Sequence, residues 1–589
     1  MRGAMREPFS RKINGRIRFL LAALLAWALI LTGRLVQLQV FRHAAAKAEV
    51  QGQSLNKRDI APERGTIFDR NKRILARSIP AQSLFLTQVK GEPESALGRK
   101  LLTLKQVLGL DDDDIRGITK RVRRGDPFVY LKRKVSPELA SAVGDLSLSG
   151  VYSHPESVRS YPNGSLAAHV LGGVSLDDKG QAGVEYAYNE SLQGKKGQAL
   201  IMNDARRREY YFETLAAAVP GRGVDLTVDE TLQYIAEREL AKVVRGTLAN
   251  WGTVIVSRPD SGEILAMASY PTYDPNFFSS AGTANKFNRA IQHTYEPGST
   301  FKIVTASAAL ARHLVRLEET FDCSKADLDI PGKPIRDHKS YGILTFPEVV
   351  INSSDRGIAQ VVKRVGSSSL YEMASAFGYG RKTGIDLAGE EAGKLRPLSA
   401  WTGRTMYALA MGYEVAATPL QILQAVNVLA NRGYLVPPRI VMPVSDPSDP
   451  LKIRAAPTPV RVLPAETAAA LTGILERAVQ EGTGTEARVE GYKIAGKTGT
   501  SQKWDPGLKN YSSLRHTASF VGFVPADKPA LSIIVVIDDP KGTEYYGGEV
   551  AAPVFREIAK RSLLQLGIYP TEPAAKRVII AQLQGEAAR

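Results

Sequence analysis

The chain has 589 residues, and 77 Lys and Arg against 60 Asp and Glu give a formal charge of +17. Hydrophobic residues make up 44% and charged ones 23%, near the globular average, which excludes wholesale disorder and a collagen-like chain. One cysteine, Cys323, excludes an internal disulfide and a multi-Cys metal centre, and the seven histidines show no ligand spacing, so neither metal nor cofactor is expected.

Phe19 to Gly33 is an uninterrupted apolar run, extended past Arg34 by Leu35, Val36, Leu38 and Val40. A membrane span needs about 20 such residues, so residues 19–40 suffice if Arg18 and Arg34 reach toward opposite headgroup layers. Six basic residues and one acid precede the run, so residues 1–18 are expected to stay in the cytoplasm as a tail, with the remainder exported. A cleaved signal peptide is the rival reading, with Ala44-Ala45-Ala46 as the small residues; Arg34, Gln37 and Gln39 intervene and weaken it. The tail holds five of the seventeen surplus charges. Nucleic acid therefore loses its appeal as the partner of a basic chain, and envelope polymers and headgroups replace it.

From residue 41 to about 225 the pattern mixes short strands, turns and charge runs. Asp111 to Asp114, followed by Lys120, Arg121, Arg123 and Arg124, is expected to be a solvated helix face, and Arg206-Arg207-Arg208 is equally unspecific. A domain boundary is placed near 225, where a strand-like alternation gives way to a helix over Glu230 to Val244. Gly252–Ser257 and Glu263–Ala268 flank a Pro-Asp-Ser-Gly turn, a hairpin signal. Ser519–Val524 and Ala530–Ile537 flank a second turn, and Val554 to Leu566 is a closing amphipathic helix. An antiparallel sheet covered by helices, an α+β fold, suits this order in residues 226–570. Residues 571–589 are a peripheral tail.

The chemistry starts at Glu296-Pro297-Gly298-Ser299-Thr300-Phe301-Lys302, where a turn signal runs into an apolar segment. Ser299 is expected at a helix N-terminus, with Lys302 one turn on along the same face. Free backbone N–H groups there stabilise an oxyanion, and a neutral lysine can serve as base. Ser-x-x-Lys alone is weak: Ser54-Leu55-Asn56-Lys57 shares it and reads as a solvated juxtamembrane segment. Two further motifs supply the context. Ser353-Ser354-Asp355 is by itself most economically a helix cap. Lys497-Thr498-Gly499-Thr500 reads as an edge strand suited to a carboxylate-bearing peptide, whereas Lys382-Thr383-Gly384 lies in a glycine-rich loop and reads as a turn. The three motifs in this order are far more specific than any one of them.

On these residues the chain resembles the class B penicillin-binding proteins, most closely the monofunctional cell-division transpeptidases. The resemblance runs from the span to about residue 570. It includes Arg64-Gly65-Thr66, Arg159-Ser160-Tyr161-Pro162, Gly183-Val184-Glu185, Thr383-Gly384-Ile385-Asp386, Gly482-Thr483-Gly484-Thr485 and Tyr545-Tyr546-Gly547-Gly548. It implies a single transmembrane helix, an elongated pedestal (dimerisation-like) domain over 41–225 and a β-lactamase-like transpeptidase domain over 226–570. It also implies that Ser299 attacks the penultimate D-alanyl carbonyl of a peptidoglycan stem peptide and that an amine of a second stem captures the acyl-enzyme. Lys302 would be the base and Ser353 the proton relay. Lys497 would hold Lys302 neutral by repulsion. Backbone N–H groups of Ser299 and Thr500 would form the oxyanion hole, and Thr498 and Thr500, with the Gly499 backbone between them, would bind the terminal carboxylate. β-Lactams would acylate the same serine. The implied partners are the product of the lipid-linked precursor, a polytopic septal glycosyltransferase and other division proteins.

Asp355 departs from the common Ser-x-Asn pattern. Asparagine donates and accepts, whereas an ionised aspartate only accepts, and its charge favours the charged lysine over the base. This variant leans toward an elongation-type transpeptidase, the nearest alternative. A β-lactamase or carboxypeptidase, and a β-lactam receptor or non-catalytic scaffold, complete the alternatives.

Overall fold

The computed structural model describes residues 7–41, 55–87, 93–126, 128–203, 209–325, 330–331, 334–443, 458–507 and 509–570. Its contacts divide into two units, residues 1–62 with 194–220 and residues 63–193 with 221–589. Arg206-Arg207-Arg208 and the tail from 571 lie outside the described residues.

The first unit contains one long helix, Glu7–Val36, ending in a π-helical turn, Gln37–Phe41. Within it Gly15–Phe41 is long and apolar enough to cross a membrane, and its side chains are exposed, as suits a helix whose solvent is lipid. The Arg34 guanidinium donates to Gln37 Oε1 at 2.7 Å, one turn further on. A three-stranded antiparallel sheet, Leu55–Ile60 on Gly197–Asn203 on Glu209–Ala216, completes the unit. Ser54 lies outside the described residues. Leu55, Asn56 and Lys57 pair with Met202, Ile201 and Leu200, so their backbone is in a ladder.

In the second unit, residues 63–193 build a sheet around the 14-residue strand Ile74–Thr87, which pairs with Ile67–Phe68, Phe128–Val135 and Val151–Ser160. Leu84, Leu86, Val129 and Leu131 bury one face against Leu101, Leu104 and Leu108 of the helix Glu94–Leu108. The acidic run does start a helix, Asp112–Arg123. Asp111 caps it and Asp114 returns the bond, while acids at its start and bases at its end suit the helix dipole. Val224–Asp225, at the expected boundary, is a short strand lying parallel to Ile67–Phe68. Ile67, Leu75, Tyr161 and Val184 share one apolar cluster with Ile255, Val304 and Val536, so residues before and after 225 share a core.

The later part of this unit is a five-stranded antiparallel sheet between helices. Helix α1 (Glu230–Gly246) begins where Asp229 accepts from the N–H groups of Thr231 and Leu232. Strands β1 (Trp251–Ser257) and β2 (Ile264–Tyr270) form the first expected hairpin. Then come α2 (Lys302–Ala311), α3 (Asp355–Ala376) and α4 (Pro419–Ala430). Strand β3 (Ala495–Asp505) is followed by the second hairpin, β4 (Asn510–Val524) with β5 (Leu531–Asp538), and by α5 (Ala552–Gln565). The strand order is β2-β1-β5-β4-β3, which leaves β3 at the edge.

Alternation assigns the two faces of this sheet. Ile533, Val535 and Ile537 of β5 pack with Leu232 and Leu240 of α1 and with Phe555 and Ile558 of α5. Ile534 and Val536 point into the cluster that contains Val304, Ile358 and Leu423 of α2, α3 and α4. Each fully buried side chain of this size contributes about 1.5–3 kcal/mol, so both faces are well supported.

Candidate functional site

The active-site turn is held by close backbone packing. Gly298 has φ +56°, its N–H donates to Gly412 O at 3.1 Å, and a Cβ at Gly412 would lie 2.0 Å from Gly298 O. Only glycine fits at 412, where φ is +85°. The residues Gly298–Phe301 form a 3-10 turn, and the α-helix starts at Lys302, so Ser299 sits one turn ahead of α2 and not inside it. Ser299 is half-buried, whereas Lys302 is completely buried.

Buried Lys302 uses its three donors on the second motif. Its Nζ lies 2.6 Å from Ser353 O, 3.2 Å from Ser353 Oγ and 2.6 Å from Asp355 Oδ1. Three acceptors match the three N–H bonds an ammonium offers, and a neutral amine at the same place would have a lone pair to serve as base. Ser353 has φ +57°, in the left-handed region, where a non-glycine residue costs about 1–2 kcal/mol. This backbone lets both its carbonyl and its hydroxyl face Lys302. The cap expected of this motif is supplied by its middle residue: Ser354 Oγ accepts from Gly357 N and donates to Asp337 Oδ2.

Asp337 carries much of this arrangement and was not foreseen. Its Oδ1 accepts from the N–H groups of Asp355 and Arg356, at 2.5 and 3.1 Å, the first orphan donors of α3. Neighbouring His338 lines the cleft with Ser299, Ser353 and Asp355. No motif marks either residue in the sequence.

The third motif lies on the edge strand, as expected. Lys497 is buried beneath the cleft, and Thr498 and Thr500 line it. Burial first, and then the Lys302 cation, push the Lys497 amine well below its ordinary value. Lys497 Nζ donates to Thr498 O at 3.4 Å, whereas Lys302 Nζ lies 2.6 Å from the Asp355 carboxylate. Two segments quoted above for resemblance alone complete the wall. Thr483 Oγ1 lies 2.7 Å from Thr498 Oγ1, and Gly547 N donates to Thr500 Oγ1 at 2.9 Å. A Cβ at Gly547 would lie 2.4 Å from Gly499 O, so a glycine is needed where this segment crosses the strand. The cleft so formed has a volume of about 460 Å³.

Lys497 gives a testable consequence. Unfolded, a lysine titrates near 10.4, and here the folded value is far lower. Between the two, the unfolded chain holds the extra proton, so stability rises with pH across that interval. Lys497→Met should remove the penalty: its urea midpoint at neutral pH should equal or exceed that of the parent and rise less toward about pH 10. Penicillin acylation should fall by about two orders of magnitude, the scale for losing one preorganised electrostatic group. A lowered midpoint with normal acylation would contradict this account.

The second Lys-Thr-Gly is structural. Thr383 N and Oγ1 and Gly384 N all donate to the Glu390 carboxylate. Asp386 accepts from the N–H groups of Ile440 and Val441 and from the Tyr188 hydroxyl. Among the described residues, no three His, Cys, Asp or Glu side chains come together as metal ligands would.

Comparison with known proteins agrees with this geometry. Residues 252–560 match the penicillin binding protein transpeptidase domain, and residues 59–228 match the penicillin-binding protein dimerisation domain. The chain belongs to the class B penicillin-binding proteins. This penicillin-binding protein is 30% identical to the peptidoglycan D,D-transpeptidase FtsI of Escherichia coli, over 96% of the chain and 94% of that relative. It is 36% identical to the stage V sporulation protein D of Bacillus subtilis, over 86% of the chain and 79% of that relative. Among solved structures, penicillin binding protein 3 of Mycobacterium tuberculosis in complex with aztreonam has a TM-score of 0.68 at 28% identity. That match covers 88% of this chain and 99% of the other.

Proposed function

We propose that this protein is a serine D,D-transpeptidase that cross-links peptidoglycan stem peptides at the division septum through an acyl-enzyme and is acylated by β-lactams at the same residue. The observation that carries the reading is Lys302 Nζ in contact with both Ser353 and Asp355, behind a cleft that Ser299, Thr498 and Thr500 line together.

In this mechanism Ser299 Oγ attacks the penultimate D-alanyl carbonyl as Lys302, once deprotonated, takes its proton. The carbonyl oxygen turns to the Ser299 and Thr500 N–H groups, and Ser353 passes a proton to the departing D-alanine amine. The hydroxyls on the edge strand suit a carboxylate. Thr500 Oγ1 accepts from Gly547 N, which leaves its own proton to donate. Thr498 and Thr483 share one hydrogen bond, and one of their two protons remains for the substrate. The amine of a second stem then attacks the ester and restores Ser299.

The basic flank of the apolar helix supports a cytoplasmic N-terminus, with residues 41–570 on the outer side as a pedestal over 41–225 and a transpeptidase domain over 226–570. A polytopic glycosyltransferase of the septum and other division proteins are the partners of this reading. Resemblance to FtsI supports division over elongation, and a fluorescent fusion concentrated along the side wall and not at mid-cell would reverse that choice.

The chemical test is intact-mass measurement and peptide mapping after exposure to a fluorescent penicillin. A persistent single adduct on Ser299, absent in Ser299→Ala, is the expected result. Label on another residue would end the assignment, and rapid turnover of the penicillin would favour a β-lactamase.

A further inference from the structure

The second substrate of a transpeptidase is an amine, and at neutral pH most amines carry an extra proton that must leave before nitrogen can attack. Lys302 is poorly placed to take it, being buried and already committed to the Ser299 proton and to three acceptors. A second proton acceptor, open to solvent and on the same cleft, answers this need.

His338 meets both conditions, and its hydrogen bonds assign its tautomer. The Tyr341 hydroxyl lies 3.0 Å from Asn352 O and 3.2 Å from His338 Nε2. A carbonyl oxygen only accepts, so the single phenolic proton goes to Asn352 O. Tyr341 holds that proton firmly, since burial, with Asp337 and Asp355 nearby, pushes its hydroxyl up to about 12. Nε2 must then be the donor to Tyr341, and in the neutral imidazole Nδ1 carries the lone pair. The ring also meets Tyr341 edge-on at 5.7 Å, which restricts its rotation. Asn352 directly precedes Ser353, so one short chain of contacts ties the imidazole to the backbone that positions Ser353.

Charges of both signs surround this ring. Lys302 of α2 and Asp355 of α3 act on it from the two helices, and Asp337 and Lys339 act from its own loop. Glu486 and Glu549 stand on the same cleft. Burial comes first and the Lys302 cation second, and together they lower the imidazole from its ordinary value despite the two aspartates. A neutral ring does not repel an incoming ammonium, and it has an acceptor to offer.

We propose that His338 is the acceptor-side base of the transpeptidation, its Nδ1 receiving the proton of the incoming ammonium. The inference rests on the transpeptidase reading above. The step balances: R–NH3+ and neutral His338 give R–NH2 and imidazolium, which returns the proton to solvent. The free amine then attacks the acyl carbon, the Ser299 Oγ–C bond breaks, and the amine's displaced proton goes through Ser353 and Lys302 to Ser299 Oγ.

The test uses the full chain in detergent micelles, a benzoylated D-alanyl thiolester as acyl donor and D-alanine as acceptor amine. His338→Gln keeps a donor for Tyr341 and removes the titratable acceptor. Aminolysis of the acyl-enzyme at pH 7 should fall about tenfold or more relative to penicillin acylation, which needs no amine. The deficit should close as pH approaches about 10, where the amine loses its proton unaided. Aminolysis at the parental rate at pH 7 would overturn the proposal. Acylation and aminolysis falling together, or a deficit independent of pH, would also overturn it and leave His338 a structural residue. A parental chain that takes up no penicillin on Ser299 would overturn the transpeptidase reading itself, and this inference with it.

Discussion

Replacing Glu185 with alanine should destabilise the protein by about 3–5 kcal/mol, although the residue is nowhere near the cleft's lining. Glu185 is fully buried, with Oε2 at 2.6 Å from Arg64 Nε and Oε1 at 2.6 Å from Arg159 Nε. Tyr161 donates to Oε1 at 3.2 Å, and Arg64 also donates to the Glu185 carbonyl at 2.8 Å. Arg64 reaches further, to Asp178 O and Asn189 Oδ1, and Arg159 to Gly65 O. Three segments far apart in sequence are thus tied at one carboxylate. Without it, two guanidinium groups exposed by no more than 2% of their side chains would face each other with no counter-charge. Neutral acceptors remain for both, but they cannot offset two charges in a site of low polarity. The measurement is urea denaturation of the parent, Glu185→Ala and Glu185→Gln. Both variants should unfold at lower urea, and the glutamine should be the milder, because it keeps the volume and part of the hydrogen bonding. An unchanged midpoint in Glu185→Ala would show that the two arginines do not depend on the carboxylate.

This cluster also marks where sequence reading stops. Arg64-Gly65, Arg159-Ser160-Tyr161 and Gly183-Val184-Glu185 are recognisable as family segments, yet nothing local says that they converge on one buried charge. What could be read was local: the two hairpins from turn residues between alternating runs, helix α1 from the pattern over Glu230 to Val244, and the edge-strand placement of Lys497. The serine, lysine and Lys-Thr-Gly motifs carried their chemistry through order and context, because a turn followed by an apolar helix is a short-range signal. Asp337 was invisible for the opposite reason. It caps α3 from a loop outside the helix, and an aspartate between arginine and histidine looks like any solvated acid. Thr483 and Gly547 show the same limit, since their contacts with Thr498 and Thr500 arise only when distant segments meet the edge strand. The shared core of Ile67, Leu75, Val304 and Val536 depends on long-range packing that local pattern does not report.

Lys302→Arg should acylate with penicillin about four orders of magnitude more slowly than the parent, although it keeps the positive charge. A positioned general base is worth about 10²–10⁴ in rate, and residues that act as a unit with their nucleophile reach the upper end of that scale or beyond. The substitution separates two roles that Lys302 combines. As a cation it balances Asp355 at 2.6 Å and holds the Ser353 carbonyl and hydroxyl, and a guanidinium can do some of this. As a base it must shed a proton, and arginine has no neutral form at any accessible pH. Lys302→Met tests the converse, removing the charge while keeping an unbranched side chain in a buried space. Asp355 then loses its partner, but its side chain is one-third exposed, so water can replace the ammonium and the fold should survive. Both variants should therefore remain folded by circular dichroism and fail in acylation. Recovery of the parental rate in Lys302→Arg would mean that only charge matters at this position, and the proton of Ser299 would have to leave by another route.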